Sequence, residues 1–312
     1  MKAVLLANMG APTSEKEMKI FLSRMFRDKA ILNVPLPVRM LLSSFISNSR
    51  YKSSWKKYQQ IGGSPLHSSM NKMRVGLENL FSDEYLIRCV YSYSSPLIHD
   101  EIQALYYNGI ENFIIIPMYP QASFSTTGSL ETEIKQLKMK LGNIKIRLVD
   151  DYFENQHFIT FWAEQIRAKL TEIGYSNPYL LFSAHAIPQS FIDRGDAYAD
   201  KIQTSARLIA AKLNLPYSVS FQSKIGKMEW TEPYTIEHLK ELHNNKIDQI
   251  VMIPISFINE NLETKYDLDH VIIPCSEKKT GIKNICRLSI PESDDRLIKM
   301  FYEFIIQSDE NN

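Results

Sequence analysis

Short apolar runs recur along the chain and alternate with longer segments of helical periodicity. Seven of the apolar runs predict β-strands: KAVLLA (2–7), LIRCVYSY (86–93), NFIIIP (112–117), IKIRLV (144–149), YLLFSA (179–184), YSVSFQ (217–222) and QIVMIP (249–254). Their apolar residues are continuous rather than alternating, which is typical of parallel strands buried on both faces. Between strands, residues 155–173 repeat apolar side chains at spacings of three and four before Gly174. The pattern predicts a doubly wound α/β fold.

Two segments of the chain repeat one arrangement. NFIIIPMYPQASFSTTGS, from residue 112, and QIVMIPISFINENLET, from residue 249, each predict a strand, a proline, an irregular loop and a helix. One interpretation is an internal duplication that gives two lobes with a site between them. The other is that parallel α/β proteins repeat such units in general. The length of 312 residues accommodates two domains.

Composition narrows the class of protein. The chain has 44% apolar and 23% charged residues, which is typical of a soluble globular protein, and its net charge of +1 gives no general attraction to nucleic acid. Cys89, Cys275 and Cys286 form no CxxC pair, which favours a reducing compartment and disfavours a zinc ribbon or iron–sulfur cluster. The N-terminal run AVLLA is too short for a signal peptide, so we expect a cytoplasmic protein.

Polar residues that follow predicted strands are candidates for chemistry, because ligands of doubly wound sheets bind at the carboxyl ends of strands. His185 comes just after the run that ends at Phe182. The hydroxyl-rich loop Ser125–Ser129 lies between a strand and a helix, where backbone N–H groups can bind phosphate or carboxylate. A structural histidine and simple helix capping are the alternatives.

An acidic stretch follows the strand at 249–254. Glu260, Glu263 and Asp267 have the spacing i, i+3 and i+7, which predicts three carboxylates on one helix face. A solvated helix face is the simpler explanation. Together with His185, one of these carboxylates would form a mixed nitrogen and oxygen site suited to ferrous iron.

Residues 30–46, AILNVPLPVRMLLSSFI, are mainly apolar and carry two prolines and a single charge, Arg39, and four basic residues follow between positions 50 and 57. An apolar patch beside basic residues suits an anionic membrane surface or a flat apolar ligand. A helix buried in the core is the alternative. The chain contains no GxGxxG, P-loop, HExxH or GxSxG motif, so nucleotide, zinc-protease and serine-hydrolase functions lack their usual support.

Taken together, six ordered motifs resemble the ferrochelatase family, whose members insert ferrous iron into a porphyrin late in haem synthesis. The motifs are LLANMGAP (5–12), IGGSPL (61–66), PMYPQASFSTTGS (117–129), LFSAHAIPQSFIDRGDAY (181–198), SFQSKIGKMEW (220–230) and IPISFINENLETKYDLD (253–269). The resemblance implies two Rossmann-like lobes, each a parallel sheet flanked by helices, with the active-site cleft between them. We expect lobes at 1–154 and 155–312, with the last helix packing back on the first lobe. An apolar lip is expected at about 30–50.

The resemblance also implies roles for individual residues. His185 matches the metal ligand and proton acceptor, Glu263 matches the carboxylate that faces it, and Asp267 continues the acidic path. The residues expected to bind the porphyrin are Met9, Tyr119, Ser125, Thr126, Gln222, Ser223, Lys224 and Trp230. Of these, Lys224 and the hydroxyls of the 125–129 loop are expected to bind the propionates of the ring.

The sequence departs from the family at two positions of the acidic motif, where Asn261 replaces a common His or Cys and Lys265 replaces a usual Leu. A second histidine in metal delivery is therefore in doubt. The C-terminus has no cysteine cluster, so we expect no iron–sulfur cluster and no permanently bound cofactor, with Fe²⁺ as substrate.

The resemblance leaves protoporphyrin IX and coproporphyrin III open as the porphyrin. Cobalt insertion into a sirohydrochlorin-type ring, or a porphyrin carrier without turnover, are the alternative functions. Peripheral contact with the inner membrane surface through residues 30–50 is expected alongside a cytoplasmic location, and nucleic acid is not expected as a partner.

Overall fold

The computed structural model describes residues 1–81, 84–224, 226 and 228–310, and the chain divides into two compact units. The first unit consists of Met1–Asp151 together with the segment that begins at Glu292. The second unit is Tyr152–Pro291. The C-terminal segment therefore belongs to the first unit rather than to the second.

In the first unit, a parallel sheet of four strands has the order β2-β1-β3-β4 within the described residues. The strands are β1 (Lys2–Asn8), β2 (Tyr85–Tyr91), β3 (Asn112–Pro117) and β4 (Lys145–Leu148). The helices are α1 (Glu15–Arg27), α2 (Leu36–Gln60), α3 (Leu66–Glu78), α4 (Ile98–Tyr107), α5 (Thr127–Leu141) and, from the C-terminal segment, α11 (Asp295–Glu310).

The second unit contains a parallel sheet of the same kind, with the order β6-β5-β7-β8 in the described part of the chain. Its strands are β5 (Tyr179–His185), β6 (Tyr217–Gln222), β7 (Gln249–Ile253) and β8 (Asn284–Arg287). The α-helices are α6 (Gln156–Ile173), α7 (Gln189–Ile192), α8 (Tyr198–Leu213), α9 (Thr235–Asn244) and α10 (Ile273–Thr280). A π-helix, Glu263–Ile272, leads directly into α10.

The α/β fold class and the seven predicted strands are confirmed, with differences of one or two residues at the strand ends. Helix α6 is capped by the side chain of Asn155 and ends at Gly174, which has a left-handed φ of 64°. Strand β8 was not predicted, because its sequence NICR is short and contains only two apolar residues. The two segments with the repeated arrangement supply β3 and β7, which occupy the same place in their respective sheets.

The central strands form the core of each unit. Residues 3–7 of β1 are fully buried, as are residues 180–184 of β5. Both strands have a strand on either side and pack against helices, which explains their unbroken apolar sequences. Their carboxyl ends, at Asn8 and His185, therefore present polar residues at the edge of a rigid sheet.

The apolar segment 30–46 is not a core helix. Helix α2 begins after Pro35, and its residues Leu41 and Phe45 are 74% and 71% exposed. Of the three buried residues of α2, two are small and polar, Ser43 and Ser47, and the third is Tyr58. None of the helices among the described residues is both long and apolar enough to cross a membrane.

Candidate active site

His185 is the last residue of β5 and is half-buried. Its Nδ1 lies 2.7 Å from the carbonyl oxygen of Ala186. Because a carbonyl can only accept a hydrogen bond, Nδ1 carries the ring proton, and the lone pair of the neutral imidazole is on Nε2. The contact therefore prepares Nε2 to bind a metal ion or to accept a proton.

The backbone of His185 is held by a second contact, from its N–H to Oγ of Ser256, at 3.1 Å. The hydroxyl of Ser256 is also hydrogen-bonded to that of Tyr198. Burial raises the pKa of Tyr198 well above its ordinary value, so this phenol stays neutral at physiological pH. The backbone N–H of Tyr198 in turn donates to Oδ1 of the buried Asp196 at 3.0 Å. Asp196 and Tyr198 of the GDAY sequence thus support His185 through Ser256.

Pro188 holds the segment after His185 against a second piece of chain. It forms an isolated antiparallel bridge with Trp230, and the N–H of Thr231 donates to the carbonyl of Ile187 at 2.9 Å. The short helix α7 begins directly after Pro188. The motif that contains Trp230 therefore fixes the loop of His185. Residues 225 and 227 of that motif lie outside the described part of the chain.

Gln222 ends β6 and is the register partner of His185. Its side chain is 3% exposed, and within the described residues neither amide atom has a hydrogen-bond partner. Leaving such a group unsatisfied costs about 1–3 kcal/mol. A bound substrate with polar groups would provide the missing partner.

Ser223 and Lys224 follow β6, and their side chains contact different residues. Ser223 has a φ of +67°, and its Oγ donates to Oδ2 of Asp267 at 2.8 Å. This bond joins the edge beside His185 to the acidic segment. The ammonium of Lys224 lies 3.5 Å from the centre of the Tyr234 ring, a cation–π contact.

The three carboxylates of the acidic stretch do not share one helix face, so that prediction is wrong. The regular helix begins only at Glu263 and is a π-helix, in which hydrogen bonds join residues i and i+5. Glu260 precedes this helix, is buried, and accepts the N–H of Ile290 at 2.9 Å. Glu263 and Asp267 do lie on the π-helix, about one turn apart.

Asn261 and Thr264 explain why the helix starts where it does. The amide oxygen of Asn261 accepts the N–H of Thr264, and the hydroxyl of Thr264 accepts the N–H of Asn261, each at 3.0 Å. This reciprocal bonding resembles a capping box. At the position where the family commonly has His or Cys, this chain therefore has a residue with a structural contact.

In the first unit, Met9 follows β1 and Tyr119 follows β3, the neighbouring strand. The two are connected by a hydrogen bond between the Met9 backbone and the Tyr119 hydroxyl. Burial outweighs this bond and raises the pKa of Tyr119. The structure thus brings together the two residues expected beside the macrocycle.

The loop Ser125–Ser129 precedes and enters α5 and is tied by its own hydroxyls. Thr126 occupies the capping position, but its hydroxyl accepts the N–H of Ser123 at 3.2 Å and makes no capping bond to the helix. Ser129 donates to the carboxylate of Asp28, which also accepts the hydroxyl of Tyr93 at 2.7 Å. Asp28 thus connects the end of α1 to this loop.

The predicted site residues therefore lie in two groups, each at the carboxyl edge of a sheet. The first unit holds Met9, Tyr119, Ser125 and Thr126; the second holds His185, Gln222, Ser223, Lys224, Trp230, Glu263 and Asp267. Across the described ranges, no group of three or more His, Cys, Asp and Glu side chains could hold a metal ion.

Sequence reasoning did not find Ser256 or Arg287, which contact the site residues or the segment that bears them. Ser256 lies in the motif 253–269, but nothing in its pattern marks it. Arg287 ends the strand that was not predicted.

Comparison with known proteins adds a family. The ferrochelatase family profile matches residues 1–309. Similar proteins include the ferrochelatase of Rickettsia bellii (strain OSU 85-389), 35% identical over 276 residues, which span 86% of this chain and 76% of the relative. The ferrochelatase of Aquifex aeolicus (strain VF5) is 32% identical over 272 residues, 86% of this chain and 87% of the relative.

Solved structures with a similar fold include SirB from Bacillus subtilis with Fe³⁺, at a TM-score of 0.60 and 11% identity, covering 99% of this chain and 98% of SirB. CbiX, described as the terminal enzyme for biosynthesis of sirohaem in denitrifying bacteria, has a TM-score of 0.58 and 12% identity, covering 98% and 99%. At this identity the likeness concerns the fold alone.

Proposed function

Because the chain belongs to the ferrochelatase family and is thus a porphyrin metal chelatase, a lyase, we propose that His185, Glu263 and Asp267 insert Fe²⁺ into a porphyrin. The reaction forms haem and releases the two pyrrole protons of the ring. The observation that carries the assignment is the contact of His185 Nδ1 with the carbonyl of Ala186, which directs the lone pair to Nε2.

His185 serves as the proton acceptor and as a ligand for the incoming metal ion. A neutral imidazole binds ferrous iron through its free nitrogen, and the same nitrogen can accept a proton. The bonds through Ser256 and Pro188 keep its backbone fixed, which is the rigidity that a catalytic base requires.

Glu263 and Asp267 supply negative charge at the same site. Carboxylates attract the divalent cation and lower the free energy that is needed to remove two protons from the ring. The hydrogen bond from Ser223 orients Asp267 toward the end of β6, which pairs with the strand of His185. We assign metal hand-over to Glu263 and the outward proton path to Asp267.

The remaining residues hold the macrocycle. A planar porphyrin hides its nitrogen lone pairs, so binding in a bent form brings the ring closer to the transition state. Met9 and Tyr119 provide a mainly apolar contact, while Ser125, Thr126 and Lys224 bind the propionates. Trp230 forms a wall of the site, and Gln222 gains hydrogen-bond partners from the ring.

Ferrous iron is preferred to cobalt as the metal in this proposal, because the named relatives are ferrochelatases. In addition, cobalt insertion usually works with two histidines at the site, which Asn261 and Glu263 disfavour here. Either protoporphyrin IX or coproporphyrin III is the ring. The exposed apolar residues of α2 make peripheral contact with the cytoplasmic surface of the inner membrane.

Anaerobic addition of Fe²⁺, or of Zn²⁺ as a substitute, to each porphyrin with the protein tests the proposal by the change in visible absorption. We expect turnover by the wild type and a loss of about 10²-fold or more in His185→Ala and in Glu263→Gln. His243→Ala and Glu241→Gln, two changes on exposed parts of the second unit, serve as controls and retain turnover.

Full turnover by both site variants would contradict the assignment of residues. Stoichiometric porphyrin binding without metallation would identify a carrier, and metallation of a sirohydrochlorin-type ring with cobalt alone would identify the other chelatase. The relative rates with the two porphyrins identify the physiological ring.

A further inference from the structure

One buried guanidinium lies beneath the acidic segment. The side chain of Arg287 is 6% exposed at the end of β8, beside β7, whose following loop leads to Glu263. Its Nη1 contacts Oε1 of Glu260 at 2.9 Å. Its Nε and Nη2 contact the two oxygens of Asp269 at 2.5 and 2.8 Å.

These contacts hold both sides of the proposed catalytic carboxylates. Glu260 lies three residues before Glu263, and Asp269 lies two residues after Asp267. The guanidinium of Arg287 therefore binds one residue before the π-helix, Glu260, and one within it, Asp269. Glu263 and Asp267 lie between these two bound residues. Its planar shape allows bidentate bonding to one carboxylate and a separate bond to the other.

Glu260 has several further hydrogen-bond partners. They make the pair of contacts from Arg287 to Glu260 and Asp269, called the clamp below, rigid. Glu260 accepts the N–H of Ile290 at 2.9 Å and the hydroxyl of Thr264, and Lys265 Nζ lies 3.9 Å away. Burial alone would lower the pKa of Arg287, but its bonds to Asp269 and Glu260 raise it, so the side chain stays charged.

Charge gives a second reason for the arrangement. Glu260, Glu263, Asp267 and Asp269 place four carboxylates within ten residues, and like charges in such proximity repel. Arg287 pairs with the two outer carboxylates, one of them buried. Removing it would leave Glu260 in the interior without its guanidinium, which favours movement of the whole segment.

We propose that Arg287 is a positioning residue of the chelatase reaction, which fixes Glu263 and Asp267 by clamping Glu260 and Asp269 on either side of them. This inference rests on the roles proposed above for Glu263 and Asp267. Arg287 acts through these residues and does not contact the reacting atoms.

Three variants of the clamp test the proposal. Arg287→Lys keeps the charge but cannot satisfy both carboxylates with a fork. Asp269→Asn weakens one side of the clamp at a partly exposed position, and Arg287→Ala opens space for a guanidinium ion from solution. Steady-state Zn²⁺ insertion into porphyrin gives kcat and the KM of each substrate, and thermal unfolding monitors stability.

A matched control exists in the first unit, where Arg296 makes the same bidentate contact with Asp294, at 2.8 and 2.5 Å. Arg296→Lys disturbs a comparable fork at the start of α11, a helix that carries none of the proposed site residues. It reports the effect of losing such a pair on stability alone.

We expect Arg287→Lys to lower kcat by about 10- to 100-fold, because small displacements of catalytic groups have effects of this size. The porphyrin KM changes less than about twofold, since Arg287 contacts Glu260 and Asp269, which are not among the residues proposed to bind the ring. Asp269→Asn has a smaller effect in the same direction, millimolar guanidinium restores part of kcat to Arg287→Ala, and Arg296→Lys keeps the wild-type kcat.

A folded Arg287→Lys protein with wild-type kcat would overturn the inference, as would equal losses in Arg287→Lys and Arg296→Lys. If the Arg287 variants fail to fold, an unchanged kcat in Asp269→Asn would do the same. Wild-type protein assayed in parallel distinguishes a failure of the positioning role from a failure of the proposed function. An inactive wild type contradicts the proposed function, and the positioning role of Arg287 with it.

Discussion

Gly10 follows Met9 at the end of β1, and its backbone has a φ of +87°, which side chains rarely allow. A Cβ at this position would also collide with the hydroxyl of Ser94 and lie 2.9 Å from Cβ of Tyr91. The Ser94 hydroxyl accepts the N–H of Ala11 at 3.2 Å, so it is fixed in place. The glycine of the N-terminal motif is therefore required by two independent constraints.

Replacing Gly10 by alanine is expected to lower the free energy of unfolding by about 3 kcal/mol, from backbone strain and the steric clash together. Gly63→Ala is the matched control, because Gly63 has a φ of +95° but nothing within 4 Å of the added methyl. That change should cost only about 1–2 kcal/mol. Urea unfolding measures both, and equal losses would show that the close approach at Gly10 has no energetic effect.

At the residue scale the sequence offers candidate site residues but does not predict what they contact. His185 is a candidate because it follows a buried strand, whereas its tautomer depends on the carbonyl of Ala186 and could not be known from residue types. Glu260 was grouped with Glu263 by its spacing, whereas its burial against Arg287 and Ile290 is a long-range effect. The prediction that residues at i, i+3 and i+7 share one face holds for an α-helix. The segment is instead a π-helix that begins after Glu260, so the prediction does not apply.

Helix α2 reverses the usual distribution of polar and apolar residues. It buries Ser43 and Ser47, while Leu36, Leu41 and Phe45 are 59%, 74% and 71% exposed. The hydroxyls of the buried serines are satisfied within the helix, by the carbonyls of residues 40 and 44. The first half of α2 thus exposes several large apolar side chains, which suits contact with lipid or porphyrin.

The double variant Leu41→Ser and Phe45→Ser should bind vesicles of anionic lipid less tightly, by about tenfold or more, because two large apolar side chains no longer enter the interface. Its melting temperature should stay close to that of the wild type, since both residues are exposed. Sedimentation with vesicles measures binding. Met139→Ser, a change at a 72% exposed residue of α5, is the control. Unchanged vesicle binding by the double variant would exclude this face as the membrane contact.

Regular elements were predicted well where their sequence period was strong. The strands β1 to β7 and helix α6 follow from apolar patterns, whereas β8 and the π-helix do not. Strand β8 owes its place to pairing with β7, and the start of the π-helix depends on the reciprocal bonds of Asn261 and Thr264. Such tertiary and capping effects outweigh local propensity.

Across the whole molecule, the chain leaves the first unit after Asp151 and returns to it at Glu292. The returning helix α11 buries Leu297 and Phe301, and Asp309 near its end bonds to Lys2 Nζ at 2.7 Å. The two ends of the chain are thus held together in one unit. The expected lobes of 1–154 and 155–312 assign this helix to the second lobe, with the helix packing back on the first.

Asp294, just before α11, should stabilise the first unit in a pH-dependent manner. Burial would raise its pKa, but the bonds from Arg296 and from backbone N–H groups lower it below the ordinary value. A lowered pKa means that the stabilisation is complete at neutral pH and is lost as the pH falls from about 4 through the folded-state pKa. Asp294→Asn is therefore expected to be about 0.5–1 kcal/mol less stable at pH 7.

Urea unfolding of wild type and Asp294→Asn at pH 7 and at pH 3 measures this difference, which should shrink at the lower pH. Asp193→Asn, at an exposed residue of the second unit, controls for a general effect of removed charge. A stability difference that is the same at both pH values would contradict the role of the carboxylate charge.

The two sheets share one strand order, and in each the last residue of the second-placed strand pairs with the last residue of its neighbour: Asn8 with Tyr91, and His185 with Gln222. Asn8 thus occupies in the first sheet the position that His185, the proposed proton acceptor, occupies in the second. The same strand end therefore carries an amide, which cannot exchange a proton near neutral pH, in one unit and an imidazole in the other.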